Sequence, residues 1–343
     1  MNRLLVSSFA VLLAAPSAAR AQVYPERIVV KAKAAIATAY QRRDRADSRE
    51  EQTEKTTRTF HLGPQGSLML GNIAGDITVT RGGGADVTVE IVKTARGRDV
   101  NDARDALQNV TVDAVEQNGR AEVKTHYPNE SAGRSRRNLN VSVAYTVTAP
   151  PETRVSIETI SGNVRVTGIK GDLTATSISG DVRVSGGGRV GTLKSISGTV
   201  ELDEAQVDGA VEASSVSGDV VLRRVSARRS QSGTVSGNIR LEDLKCDRVE
   251  AHTTSGNIDF SGPLAKSGHY ELKGFSGDIH VMLAGNTGFE LDASSFSGQI
   301  RSDDFPITTR GRIGRRTLTG TYGDGSAILD LSTFSGGIVI TKR

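Results

Sequence analysis

The chain has 343 residues, 43 basic and 39 acidic side chains, a formal net charge of +4, no tryptophan and 4% aromatic residues. So few aromatic rings argue against a broad sugar-stacking platform. The single cysteine, Cys246, excludes an intramolecular disulfide and reads as a small packed side chain.

The first segment reads as an address. Arg3 precedes an apolar run over residues 4–15, and Ala19-Arg20-Ala21 offers small residues for cleavage. The run is shorter than the roughly 20 residues that a spanning helix needs. Residues 1–21 are therefore expected to be a signal peptide, with the mature chain starting at Gln22 and no transmembrane segment after cleavage. The expected location is the periplasm, the cell envelope or the extracellular space, which argues against nucleic acid as a partner. Residues 22–59 read as a flexible charged tether. Residues 23–40 are compatible with a short helix, whereas residues 41–59 are rich in Arg, Asp, Glu, Gln and Thr and hold too little apolar surface to offset ordering. Order is expected from Phe60.

Residues 60–150 read as a β-rich capping region with one short helix. Apolar and polar residues alternate over 67–79, 86–92, 110–115, 121–125 and 139–147. Residues 99–107 instead have helical spacing, with Val100, Ala103, Ala106 and Leu107 on one face. Pro150-Pro151 closes the region.

Residues 151–343 are a repeat. The recurring string is an apolar residue, Ser, Gly, Asp or Asn, then apolar-x-apolar, as in Ile178-Ser179-Gly180-Asp181-Val182-Arg183-Val184. Its glycine recurs at Gly162, Gly180, Gly198, Gly218, Gly237, Gly256, Gly277, Gly298 and Gly336, with gaps of 18, 18, 20, 19, 19, 21, 21 and 38 residues. The last gap is twice nineteen, which suggests a unit that has kept its length and lost its motif. Each unit supplies two short strands around a turn. Glycine suits a sharp turn, and Asp181, Asp219, Asp278 or their Asn equivalents can bond the local backbone there. Val182 and Val184 are expected inward and Arg183 outward. No unit buries its apolar face alone, so the units must stack, at about 4.8 Å each. The expected fold is all-β: a single-chain parallel β-solenoid of about ten rungs behind the capping region. The column before Ser-Gly runs Ile160, Ile178, Ile196, Val216, Val235, Thr254, Phe275, Phe296, Phe334 and is expected to be an inward stack. The final strand, 338–340, is expected to leave an edge that is either guarded by Lys342 and Arg343 or used as an interface.

From Phe60 to the end the chain resembles the bacterial putative-adhesin domain family of unknown function, DUF4097. The resemblance rests on Gly71-Asn72-Ile73-Ala74-Gly75-Asp76-Ile77, the Ser-Gly-Asp/Asn repeats and Gly323-Asp324-Gly325-Ser326-Ala327-Ile328-Leu329. It implies a β-solenoid in an exported or envelope-associated protein, with no catalytic residues. Some relatives are linked with envelope-stress systems, which suggests an accessory role in such signalling as an alternative.

Parallel β-helices include polysaccharide-cleaving enzymes, so catalysis has to be weighed. Paired carboxylates for glycoside hydrolysis sit roughly 5 to 9.5 Å apart. In the turn column (Asn163, Asp181, Thr199, Asp219, Asn238, Asn257, Asp278, Gln299, Gly337) no two neighbouring units both carry Asp. No catalytic residue, cofactor-binding residue, metal ligand or cofactor is assigned. The nineteen-residue period is not that of calcium-binding nonapeptides, and the five histidines lack zinc spacing. The column after each turn (Arg165, Arg183, Glu201, Val221, Arg240, Asp259, His280, Arg301, Val339) is too mixed for a ligand comb. Arginine pairs at 42–43, 136–137, 223–224, 228–229 and 315–316 suit an anionic polysaccharide, although a solvated surface explains them more simply. The expectation is a non-catalytic envelope or surface interaction module with an unidentified partner.

Overall fold

Two mainly parallel sheets, of 13 and 14 strands among the described residues, carry the repeat. The computed structural model describes residues 50–63, 65–128, 140–309, 314 and 316–343. The expected signal, the possible helix at 23–40 and Arg42-Arg43 lie outside them, as do Arg136-Arg137 and Arg315. Residues 50–343 form one unit.

One rung shows how the sequence makes the fold. Asp172–Ser179 lies in the larger sheet and Val182–Ser185 in the smaller one, with Gly180-Asp181 at the corner between them. Leu173, Ala175, Val182 and Val184 point inward and are buried, while Arg183 points outward. This is the two-residue alternation of a strand, repeated on both sides of a turn. The next rung pairs in parallel, Val182 beside Val200 and Val184 beside Leu202. Ile169, Val225, Leu244 and Leu264 fill the opposite corner, which leaves a continuous apolar core.

The solenoid starts earlier than residue 151. Ser67–Ala74 and Ile77–Arg81 form a full rung around Gly75-Asp76, in register with Arg154–Ser161 and Val164–Thr167. Arg120–His126 and Val141–Ala149 add a further rung outside it. The expected capping region is thus largely solenoid. Among the described residues, two rungs precede residue 151 and nine follow it, against the ten expected. The true cap is smaller: Val87–Gly97 and Glu50–Phe60 extend one sheet antiparallel, Thr111–Gln117 extends the other, and one helix covers the end.

The expected tether likewise ends at residue 49, because Glu50–Phe60 is a strand. Its charges order because their partners lie across the ladder: Lys55 pairs with Glu90, Glu54 with Lys93 and Glu51 with Arg96, each at 2.8 Å. Four threonines supply strand-favouring side chains. The helix runs Val100–Asn109; the Asp99 side chain caps it by accepting from the Asp102 amide at 2.8 Å. Ala103 and Leu107 are buried, whereas Val100 stays at the exposed rim.

The C-terminal end departs most from the expected order. Ala327–Ser335 and Ile338–Lys342 insert between the rung of His269–Ser276 and Ile279–Ala284 and the rung of Phe289–Ser295 and Ile300–Arg301. The last strand of the chain is therefore an interior strand, not an edge. Among its described residues, the 38-residue gap does not hold a degenerate rung. It holds Thr308–Thr309 and Thr317–Tyr322, which turn back antiparallel to cover Phe289–Ser295. Phe289, Phe305 and Tyr322 cluster beneath this cover, with centroids 4.9 to 5.4 Å apart.

Candidate functional site

The corner between the two sheets is where inward and outward side chains had to be told apart. Ser177 points inward and its hydroxyl donates to the Gly162 carbonyl of the preceding rung at 3.3 Å. Ser195, Ser215, Thr234, Thr253, Thr333 and Ser295 do the same towards Gly180, Gly198, Gly218, Gly237, Gly277 and Gly336, at 2.8 to 3.1 Å. These hydroxyls satisfy carbonyls that turn away from the sheet ladders. Because the inward place is taken by Ser or Thr, the next residue must face out.

That next residue is the apolar column expected to be buried. Ile160, Ile178, Ile196, Val216, Val235, Phe275, Phe334 and Phe296 are instead 43% to 65% exposed, with exposed Thr254 among them. They form one ladder along nine successive rungs. At its end the ring of Phe334 stacks between Phe275 and Phe296, with centroids 5.0 and 4.7 Å apart and planes within 2° and 4° of parallel. Beside the ladder runs an unbroken column of exposed serines, from Ser161 and Ser179 to Ser335 and Ser297. The phase error arose because an apolar residue before a turn reads as core. The signal for the outward phase is the Ser or Thr one position earlier, present in eight of these nine rungs.

The turn residues have a different task from the local bonding expected of them. Asp181 Oδ1 accepts from the Thr199 amide of the next rung at 2.8 Å, Asp219 from Asn238 at 2.8 Å and Asp278 from Gly337 at 2.7 Å. Asp76, Asn163, Asn238 and Asn257 continue this rung-to-rung ladder. The nine turn glycines lie where a Cβ would overlap the carbonyl of the neighbouring turn glycine. Close approach, more than a left-handed backbone, demands glycine there.

The outer face of the smaller sheet is a run of ion pairs. Arg183 contacts Asp181 at 2.8 Å and Glu201 at 3.3 Å, and Arg223 joins Glu201 to Glu242 at 2.6 and 3.1 Å. His280 meets Asp259 at 2.9 Å. Val221, in the same column, is buried.

On the larger sheet, Glu250, Glu271, Asp330 and Asp292 occupy neighbouring rungs in register. This carboxylate file is absent from the turn column considered above. Arg229 and Arg248 hold Glu250 at 2.9 and 2.8 Å, and Lys273 pairs with Glu271. The Arg229 contact draws the Glu250 carboxyl below its ordinary pKa, and the Lys273 contact does the same for Glu271. Glycoside hydrolysis needs one carboxyl raised to act as acid, the opposite of what these cations do. Among the described residues no group of His, Cys, Asp or Glu is arranged to hold a metal ion. Cys246 is buried, and desolvation pushes its thiol up to about 12.

The family model described as Toastrack DUF4097 matches residues 68–341. No curated protein matches the sequence. Similar solved structures include one described as a putative adhesin from Bacteroides fragilis, with 15% identity over 84% of this chain and 97% of that chain and a TM-score of 0.40. One described as a putative lipid binding protein from Parabacteroides distasonis has 13% identity over 84% and 96%, also with a TM-score of 0.40. One described as a putative cell adhesion protein from Clostridium sporogenes has 12% identity over 86% and 100%, with a TM-score of 0.24.

Proposed function

The chain belongs to the Toastrack family, DUF4097, and we propose that this member is an exported, non-catalytic interaction module of the cell envelope or surface. The observation that carries this reading is the exposed ladder from Ile160 to Phe296. Soluble proteins seldom leave a contiguous apolar strip of this length uncovered, and such strips mark binding surfaces. Its members are held by the rigid core beneath, so the strip is pre-arranged and little ordering cost falls on binding. The N-terminal sequence supports export. The lowered Glu250 and Glu271 carboxyls support a non-catalytic role.

Two measurements test this. N-terminal sequencing of the protein recovered from envelope fractions is expected to start at Gln22; a retained Met1 on cytosolic protein refutes export. Binding of the purified protein to isolated envelopes is expected to fall when Ile160, Ile178 and Ile196 are replaced by Ser, with thermal stability unchanged. Turnover of an anionic polysaccharide that disappears in Glu271→Gln would overturn the non-catalytic reading.

A further inference from the structure

We propose that the occupant of the apolar ladder is the same ladder on a second copy of this chain, giving a homodimer whose two-fold axis runs parallel to the stack of rungs. The inference rests on the ladder being an interaction surface and names its partner. Three observations lead to it.

The first is area. The eight apolar members, 43% to 65% exposed, leave on the order of 800 Å² uncovered, about what each partner contributes to a stable complex. Isolated exposed apolar side chains need no explanation, but eight in one file exceed the patch that a monomer ordinarily leaves bare.

The second is period. The ladder side chains repeat at the rung spacing of about 4.8 Å. Side chains meet in register along a whole file only with a file of the same period, as they do in the dry interfaces between paired sheets. A second copy supplies that period. The flanking serines are small and uncharged, so two corners can approach closely without stranding a charge.

The third is charge. The other flank of the ladder carries Glu158, Lys194, His252 and Lys273. With the two-fold axis along the ladder, the serine column of one copy faces this mixed column of the other, and no like charges meet. An antiparallel arrangement centred on Val235 would set Lys194 of one copy against Lys273 of the other. On the same sheet face Arg229, Arg248 and Lys273 are occupied by Glu250 and Glu271, and Asp330 and Asp292 add negative charge, which disfavours an anionic lipid surface as occupant.

Sedimentation of the purified protein over a concentration series tests the proposal. The expected result is a reversible dimer that Ile178→Lys with Phe334→Lys weakens by about tenfold or more. Both side chains are exposed, so a thermal midpoint equal to that of the unaltered protein at a concentration where both are monomeric shows that the variant still folds. Cys246 is buried and does not interfere with a second measurement. Ile178→Cys is expected to form a disulfide-linked dimer with itself under mild oxidation, because the parallel arrangement sets each ladder residue against its own copy, whereas an antiparallel one centred on Val235 does not. A protein that stays monomeric overturns the proposal, as does a dimer indifferent to the ladder variant. A monomer that binds neutral phosphatidylcholine vesicles through the ladder also overturns it. If the monomer still loses envelope binding in the ladder variant, the dimer fails while the interaction reading stands. If the dimer forms but envelope binding is indifferent to the ladder, the dimer stands and that reading fails.

Discussion

The hydroxyl of Ser195 donates to the carbonyl of Gly180, one rung earlier and 2.9 Å away. This bond determines which side of the corner is interior. Ser195 is buried and Ile196, the next residue, is 47% exposed. Polar and apolar roles are thus the reverse of what residue type alone suggests. Ser195→Ala leaves the hydrogen-bonded Gly180 carbonyl without this donor and is expected to cost about 1–2 kcal/mol. Ile196→Ser removes a side chain that is only about half covered and is expected to cost less, at most about 1 kcal/mol. Urea unfolding of the two variants checks the pair, and a larger cost for Ile196→Ser would contradict the assigned phase.

The neighbouring glycines are constrained by contact between rungs. A Cβ on Gly180 would overlap the Gly162 carbonyl, which is itself fixed by Ser177. Gly180→Ala is expected to force the two rungs apart and destabilise by about 2 kcal/mol or more. Gly209→Ala, where an added Cβ meets nothing within 4 Å, serves as control and should be nearly silent. Thermal unfolding of both variants distinguishes a packing constraint from a general intolerance of side chains.

Past the corner, the strand phase can be tested directly. Val182 is fully buried and stacks on Val164 and Val200, whereas Arg183 lies outside with Asp181 and Glu201. Val182→Asp would bury an unpaired charge and should cost several kcal/mol. Arg183→Ser removes partly exposed ion pairs, worth about 1 kcal/mol at most. Equal tolerance of the two, measured by chemical denaturation, would contradict the register.

Much of this was legible in the sequence. The apolar-x-apolar triplet after each Asp or Asn places Val182 and Val184 inside, because nothing competes with strand alternation there. The glycine period gives the stacking. Ile178 was not legible by the same rule, since what turns it outward is the hydroxyl of Ser177 meeting a carbonyl from another rung. Such a contact spans fifteen residues, and its one local trace is the Ser or Thr just before the apolar residue. The Glu50–Phe60 strand was hidden for a similar reason: its charges look unpaired until Glu90, Lys93 and Arg96 lie opposite.

The carboxylate file makes stability depend on pH. Glu250 is 12% exposed and bonded by Arg229 and Arg248, which lower its pKa in the folded state, while Glu271 lies on the next rung. A carboxyl depressed on folding adds stability above its unfolded pKa, near 4.3, and loses it as the pH falls through the folded value. Glu250→Gln is therefore expected to cost about 1 kcal/mol at pH 7, modest because both arginines are about half exposed. The cost should shrink to nothing once the pH falls below the folded value. Denaturation of both proteins from pH 7 downward checks the sign; a cost that grows on acidification would contradict it.

The insertion of the chain's last rung between two earlier ones has an energetic consequence. Ile338 is fully buried, with Ile279 on one side and Ile300 on the other, while Ile300 sits half-buried on the outermost strand. If residues 338–342 were a free edge, truncating Ile338 would cost no more than truncating Ile300. As an interior strand, Ile338→Ala should leave a cavity that the flanking rungs cannot collapse, at about 2–4 kcal/mol. Ile300→Ala is expected to cost about 1 kcal/mol, because solvent already reaches that position. Hydrogen exchange offers a second readout. Amides of residues 338–342 should exchange as slowly as those of Ile279–Ala284, and more slowly than those of Ile300–Arg301, although they stand last in the chain.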